Sequence, residues 1–153
     1  MTTPEERLSE LGLSVPEVAK PVAAYVPALR SGGYVYTSGQ LPLRNGELIA
    51  TGKVGAGVSV ELAVECAQQC ALNALAAVSS LVGGLSSVVQ VVKVVVYVAS
   101  APEFTGQPGV ANGASDLFGK VFGEAGQHAR SAVGVAVLPM DAPVEVELVV
   151  EVS

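Results

Sequence analysis

Arg130 is the residue of this chain best suited to hold a ligand. It opens a run of small and apolar side chains, Ser131 to Val137, and no other basic residue lies within nine positions of it. A guanidinium isolated among small neighbours can clamp a planar carboxylate through two parallel hydrogen bonds. Pairing with a structural glutamate at a sheet end is the alternative. Glu145, Glu147 and Glu151 fall on one face of the last alternating segment. For Glu151, near the end of the chain, a solvated face suffices. A partly desolvated glutamate beside an anionic ligand holds its proton more tightly and can act as general base toward water. The register between residues 130 and 145 is open at this level, and with it whether the two groups meet.

Other constellations are weaker. Cys66, Cys70 and the single His128 are too few for a tetrahedral zinc site, and the cysteines read as small buried apolar residues of a helix. Ser38 has no histidine near it in sequence. Neither a glycine-rich phosphate loop with a lysine nor a Gly-x-Ser-x-Gly elbow occurs. Tyr25, Tyr34, Tyr36 and Tyr97 read as edge and core aromatics, although a tyrosine lining a cleft could hydrogen-bond a ligand.

The elements that must position these groups follow from local pattern. Thr3, Pro4 and Glu6 predict a short capped helix stopped at Gly12, followed by a connector from Val15-Pro16 to Lys20-Pro21. Residues 25–36 suit two strands around Ser31-Gly32-Gly33. The second ends at Ser38-Gly39-Gln40-Leu41-Pro42, and Asn45-Gly46 predicts a hairpin turn before a short strand at 48–50. Ser59 should cap a long helix running to Val82 and stopped by Gly83-Gly84, with Leu62, Cys66, Cys70, Ala74, Ala77 and Leu81 on one face. A valine-rich strand over 88–99 follows. Pro102-Glu103 and Pro108-Gly109 then mark a loop, before a helix over 112–122 with Leu117, Phe118 and Val121 inward. The alternation of Val133, Val135 and Val137, and of Val144, Val146, Leu148, Val150 and Val152, predicts a closing hairpin turning at 139–143. Strands, helix, strand, helix, strands make an α+β domain with helices on one face of a sheet.

Bulk properties narrow the classes. A chain of 153 residues with formal net charge -6 and 50% hydrophobic residues fits one domain with an ample core. Only 14% of its residues are charged, against about 25% in an ordinary soluble protein, and mean hydropathy is +0.53. That excludes disorder and leaves apolar surface for a subunit interface. The valine-rich stretch is too short for the roughly 20 residues of a spanning helix and is interrupted by Gln90 and Lys93. The acidic start, Met1 to Arg7, lacks an apolar signal core, so a cytoplasmic protein is expected. Basic residues are scattered, the closest pair being Arg44 and Lys53, which disfavours nucleic-acid binding.

Two blocks carry a family resemblance. Tyr34-Val35-Tyr36-Thr37-Ser38-Gly39-Gln40-Leu41-Pro42 and Ala129-Arg130-Ser131-Ala132-Val133-Gly134-Val135-Ala136-Val137-Leu138-Pro139, with the closing Val144-Glu145-Val146-Glu147, resemble the RidA/YjgF reactive-intermediate (imine) deaminases. Asn112 to Asp116 and His128-Ala129-Arg130 are most similar to the longer branch that carries an endoribonuclease label and a chorismate-mutase-like fold. The likeness covers roughly residues 20–152 of a single domain over 1–153, in which 1–20 are the N-terminal helix and connector. It implies a mixed, largely antiparallel sheet with two helices on one face, assembled as a homotrimer with clefts between neighbours. It also implies cofactor-free hydrolysis of 2-imino acids or enamines to 2-keto acids and ammonia; from the ligand count, charge and hydropathy above, no metal, nucleic acid or membrane is expected as partner. By the same resemblance Arg130 holds the substrate carboxylate and Glu145 orients or activates the water. Tyr25, Ser38, Gly39 and the backbone carbonyl of Ala132 line the pocket. Ala132 stands where these deaminases often carry cysteine, and Gly134 where they carry a larger polar residue. A binding protein for carboxylate metabolites is the second reading, and an endoribonuclease the third.

Overall fold

The computed structural model describes residues 2–20 and 24–153. Its first element is a helix α1 (Pro4–Glu10), closed by the expected capping box: Glu6 N–H donates to Thr3 Oγ1 at 3.1 Å and Thr3 N–H to Glu6 Oε2 at 3.0 Å. Pro21, part of the expected connector, lies outside the described residues. Strands β1 (Ala28–Ser31) and β2 (Tyr34–Thr37) form the first hairpin, with Gly32 at φ 58 in its turn. The Asn45-Gly46 turn joins β3 (Leu43–Arg44) to β4 (Glu47–Leu48), a separate two-stranded ribbon slightly earlier than the strand predicted at 48–50. Helix α2 (Val60–Val82) starts where Ser59 Oγ accepts from Leu62 N–H and stops at Gly83, whose φ of 78 is the left-handed conformation of a helix end. Strand β5 (Val88–Ala99) follows, then α3 (Gln107–Phe122), β6 (Ala129–Val135) and β7 (Val144–Val152).

Two expectations need correction. Helix α3 begins at Gln107, not Asn112, and the Pro108-Gly109 pair read as loop sits in its first turn. Proline's fixed φ suits that turn, where its missing N–H is not needed. The closing segments are not a hairpin either. The sheet order is β1-β2-β7-β5-β6, so β5 separates β6 from β7. β7 is antiparallel to β2 and β5, whereas β6 is an edge strand parallel to β5. Alternation marks a half-buried strand without naming its partner, and β5, with its valines covered on one face and half-covered on the other, takes both. The turn at 139–143 is present, with Asp141 N–H donating to the Leu138 carbonyl and Ala142 N–H to the Pro139 carbonyl at 3.1 Å each, but it leads from β6 across β5 to β7. Met140 and Asp141 stand at φ 61 and 58, and Asp141 is tied by its carbonyl to Gly52 N–H and by its carboxylate to Lys53 Nζ.

The result is an α+β domain with a mixed, largely antiparallel sheet. Helix α2 packs on β7, β1 and β2, and α3 on β5 and β6, all on one face. The core lies between, with Val91, Val94, Val96 and Val98 of β5 and Val144, Val146, Leu148 and Val150 of β7 buried against Cys66, Cys70, Ala74, Leu75, Leu117 and Phe118. The cysteines are thus core residues as expected, and burial pushes the Cys66 thiol up to about 11 and that of Cys70 well above its ordinary value. A bulge in β5 between Val91 and Lys93 lets Val91 and Val94, three apart, face the same layer. The opposite face of the sheet is covered by no helix or strand among the described residues and carries Leu29, Tyr36, Tyr97, Val133, Val149 and the β7 glutamates. No helix among the described residues is long and apolar enough to cross a membrane.

Candidate functional site

Glu145 stands on the open face of β7, opposite Tyr97 of β5. The chain leaving β2 runs back along β7 as far as Gln40, which exchanges backbone hydrogen bonds with Val146 at 2.8 and 3.0 Å. This lays Gly39 against the Glu145 side chain: a Cβ built at Gly39 would fall 2.5 Å from Glu145 Oε2 and 2.7 Å from Cδ. Glycine leaves the Glu145 carboxylate this position, which a methyl group would force it to give up. Burial raises the Glu145 carboxyl above its ordinary value, and the neighbouring Glu147 charge adds to the effect.

Ser38 and Tyr25 join this group from the same chain. Ser38 Oγ donates to Val26 carbonyl O at 2.6 Å, and Ser38 N–H donates to Pro27 carbonyl O at 2.8 Å, which ties the segment carrying Tyr25 to the Gly39 loop. Tyr25 and Gly39 then line one depression together with Lys20, Pro27, Gln40 and Leu41. The hydroxyl of Ser38 is spent on the backbone, so its role is to place the wall. The loop beyond is pinned from beneath by α2, whose buried Asn73 donates from Nδ2 to the carbonyls of Leu41 and Leu43 at 2.9 Å each.

Arg130 belongs to a second surface. It pairs with the buried Val94 of β5 and so faces the helix layer at the edge of the sheet, as Ala132 does opposite Val96. There its Nη1 donates to Asn112 Oδ1 at 2.8 Å and to Ser115 Oγ at 3.2 Å. Ser115 Oγ lies 2.8 Å from His128 Nε2, and His128 Nδ1 lies 2.6 Å from the Gly126 carbonyl. A carbonyl only accepts, so Nδ1 carries hydrogen; in the neutral ring Nε2 accepts from the Ser115 hydroxyl, whose oxygen accepts in turn from Arg130. The chain of bonds fixes one corner of the guanidinium. Its Nε and Nη2 make no hydrogen bond among the described residues, and that edge matches a carboxylate.

Arg130 and Glu145 therefore do not meet within one chain. They lie on opposite faces, two strand spacings apart (about 10 Å) and three residues out of step along β5 (about 10 Å). Nor does His128 approach Ser38; its hydroxyl partner is Ser115. Asn112 and Ser115 escaped the residue-level reading although their three-residue spacing puts them on one helical face; His128 stands just ahead of β6, two residues before Arg130. The depression beside Tyr25 has a volume of about 40 Å³. That is too small to enclose an amino-acid-sized ligand; a second, open cleft of about 160 Å³ lies beside Tyr36, Lys93 and Glu147.

Comparison with known proteins agrees with the architecture. A family model described as "YjgF/chorismate_mutase-like, putative endoribonuclease" matches residues 5–152. The chain is 45% identical to Protein TCP17 of Trypanosoma cruzi over 95% of this chain and 92% of that protein. It is 31% identical to a 2-iminobutanoate/2-iminopropanoate deaminase of Dermatophagoides farinae over 92% of this chain and 95% of that one. A solved structure described as a putative endoribonuclease from Shewanella oneidensis superposes with a TM-score of 0.95 at 34% identity, covering 98% of this chain and 99% of that one.

Proposed function

The chain belongs to the YjgF/chorismate mutase-like, putative endoribonuclease family, and on that footing we propose that it hydrolyses reactive 2-imino acids, or their enamine tautomers, to 2-keto acids and ammonia. The observation that carries this reading is Glu145: a half-buried carboxylate with raised proton affinity, lying against a glycine that leaves it room. The iminium carbon is already electrophilic, so the site must clamp the carboxylate, place a water and move one proton. Glu145 takes a proton from the attacking water as its oxygen bonds to the imine carbon. It returns that proton to the nitrogen of the resulting carbinolamine. The C–N bond then breaks as Glu145 takes the proton of the new hydroxyl, giving ketone and ammonia, which carries that proton away as ammonium. Arg130 holds the substrate carboxylate by its free Nε/Nη2 edge, while Tyr25, Ser38, Gly39 and the Ala132 carbonyl form the wall. No cofactor enters.

Because Arg130 and Glu145 face opposite ways in one chain, the cleft we propose pairs the Glu145 surface of one subunit with the Arg130 edge of another. A homotrimer is the assembly proposed, its apolar contacts drawn from the open sheet face, where Leu29, Tyr36 and Val133 are 60%, 47% and 43% exposed. Two free cysteines suit the reducing cytoplasm as its location. The formal charge of -6 and scattered basic residues weigh against RNA as substrate.

The test is hydrolysis of imines made in situ from several amino acids by an amino-acid oxidase. Wild type should speed imine loss. Arg130→Ala should lower kcat/KM about 10- to 100-fold, mostly through KM, since a charge-assisted contact contributes about 1.5–3 kcal/mol. No acceleration over buffer with any amino acid would defeat the hydrolase reading and leave a carboxylate-binding protein, which a melting screen with 2-keto acids would reveal. Gly39→Ala offers a finer check. The added methyl must push the Glu145 carboxylate aside, so activity should fall on the order of 10²-fold, as misplaced catalytic groups do. Its melting temperature should change little, because what yields is the end of a flexible side chain. An active Gly39→Ala would show that the observed Glu145 position is not the working one.

A further inference from the structure

The open face of β7 carries a second glutamate. Glu147 lies opposite Val95, two residues along from Glu145, on the same side of the sheet. Tyr97 of β5 lies opposite Glu145, yet its hydroxyl reaches diagonally and donates to Glu147 Oε1 at 2.7 Å. A phenol donates more strongly to a carboxylate than to a neutral carboxyl, so this bond favours Glu147 as an anion. The same bond is the main reason the Tyr97 hydroxyl is pushed up to about 12. Glu145 has no side-chain donor among the described residues; its carboxylate rests on Gly39.

We propose that Tyr97 and Glu147 are positioning residues for Glu145: the tyrosine holds Glu147 as a fixed anion beside it, so that a proton entering the pair resides on Glu145. Two neighbouring carboxylates resist ionising together, and an asymmetric donor decides which of them carries the proton. The remaining groups around the pair do not reverse that choice. Cys70 of α2, beneath Glu145, is a neutral buried thiol. The Ser38–Gln40 loop has no titratable side chain. Tyr36 and Lys93 line the cleft beside Glu147, and Lys20 and Tyr25 line the depression with Gly39; none of the four makes a hydrogen bond or ion pair with either carboxylate among the described residues. The inference rests on the reading of Glu145 as proton carrier and extends it to the residues that set its readiness.

Carbon NMR of glutamate side-chain carboxyls, on the full chain in its native assembly, tests this without need of turnover, with Glu145→Gln assigning the signal. In wild type Glu145 should be the last of the pair to lose its proton as pH rises. In Glu147→Gln its midpoint should fall by at least about half a pH unit, the effect of one like charge a few ångströms away even when well screened. Tyr97→Phe, which keeps the ring and its packing, should lower the Glu145 midpoint. A Glu145 midpoint unmoved by Glu147→Gln, or a wild type in which Glu147 holds the proton, would overturn the proposal. Where hydrolysis is measured, the acid limb of kcat/KM should move to lower pH in Glu147→Gln, which a merely structural role would not do. Shifted midpoints without imine hydrolysis would defeat the hydrolase reading alone; hydrolysis with unmoved midpoints would defeat this one alone.

Discussion

Glu145→Gln is expected to lose about 10²- to 10⁴-fold in imine hydrolysis, the usual contribution of a positioned general base, while the protein becomes more stable at neutral pH. The two effects have one origin. Burial first, and the Glu147 charge second, raise the Glu145 carboxyl in the folded state above its ordinary value. A group whose folded pKa is raised contributes stability below its unfolded pKa and loses it as pH rises through the folded one. At pH 7 ionised Glu145 is therefore a cost to the fold, and a neutral amide of the same shape removes it. Below the ordinary carboxylate range the acid is protonated in both states and the gain should vanish. Thermal melts of both chains at about pH 3.5 and pH 7.5, beside the rates, check this. An equal melting difference at both pH values would assign it to packing and remove burial as the cause. Such an exchange of stability for activity is common at catalytic positions.

The second large effect concerns the layer that carries Asn112 and Ser115. Gly113 lies where α3 crosses α2, and a Cβ there would land on the carbonyl oxygen of Val64 and 3.1 Å from Ala67 Cβ. Neither can step aside, because one is helix backbone and the other a buried methyl on that backbone. In an open helix Gly→Ala gains about 1 kcal/mol, whereas overpacking a core costs typically 1–3 kcal/mol and sometimes more. With backbone as the obstacle, Gly113→Ala should lose about 2 kcal/mol net, or roughly 4–8 °C in melting temperature for a domain of this size. Gly119→Ala, six residues on in the same helix with nothing within 4 Å of the added methyl, should instead gain up to about 1 kcal/mol. Urea unfolding of the two variants side by side decides it. If Gly113→Ala is as stable as Gly119→Ala, the helices are not in the close contact described. Since α3 carries two partners of Arg130, Gly113→Ala should also weaken carboxylate binding.

Local signals in the sequence translated directly into elements. Thr3 with Glu6, Ser59, Gly83 and Asn45-Gly46 each act within a turn of chain, so their hydrogen bonds or backbone angles are decided by neighbours a few residues away. The face of β7 was equally legible, because burial on one side imposes the two-residue period directly; on α2 the stripe holds for Cys66, Cys70, Ala74 and Ala77, but Leu81 is exposed and the middle of the helix, Gln69 to Val78, is buried all round. Pro108 misled for the same reason: proline says that no helix continues through it from behind and leaves open that one begins there.

What one chain's sequence determined, then, is the set of elements, their apolar faces, and the residue types able to do the chemistry: an isolated arginine, a strand of spaced glutamates, a glycine beside a serine. Tertiary structure alone decided that β5 inserts between β6 and β7, which depends on pairing across long separations that periodicity does not encode. That single insertion puts Arg130 on the helix-covered face and Glu145 on the open one, and it sets Tyr97 where its hydroxyl reaches Glu147. Arg130's support from Asn112, Ser115 and His128 likewise exists only once α3 lies along the β6 edge. Chemistry of this kind depends on distances of a few ångströms between residues tens of positions apart, and only the packed sheet and helices set those distances.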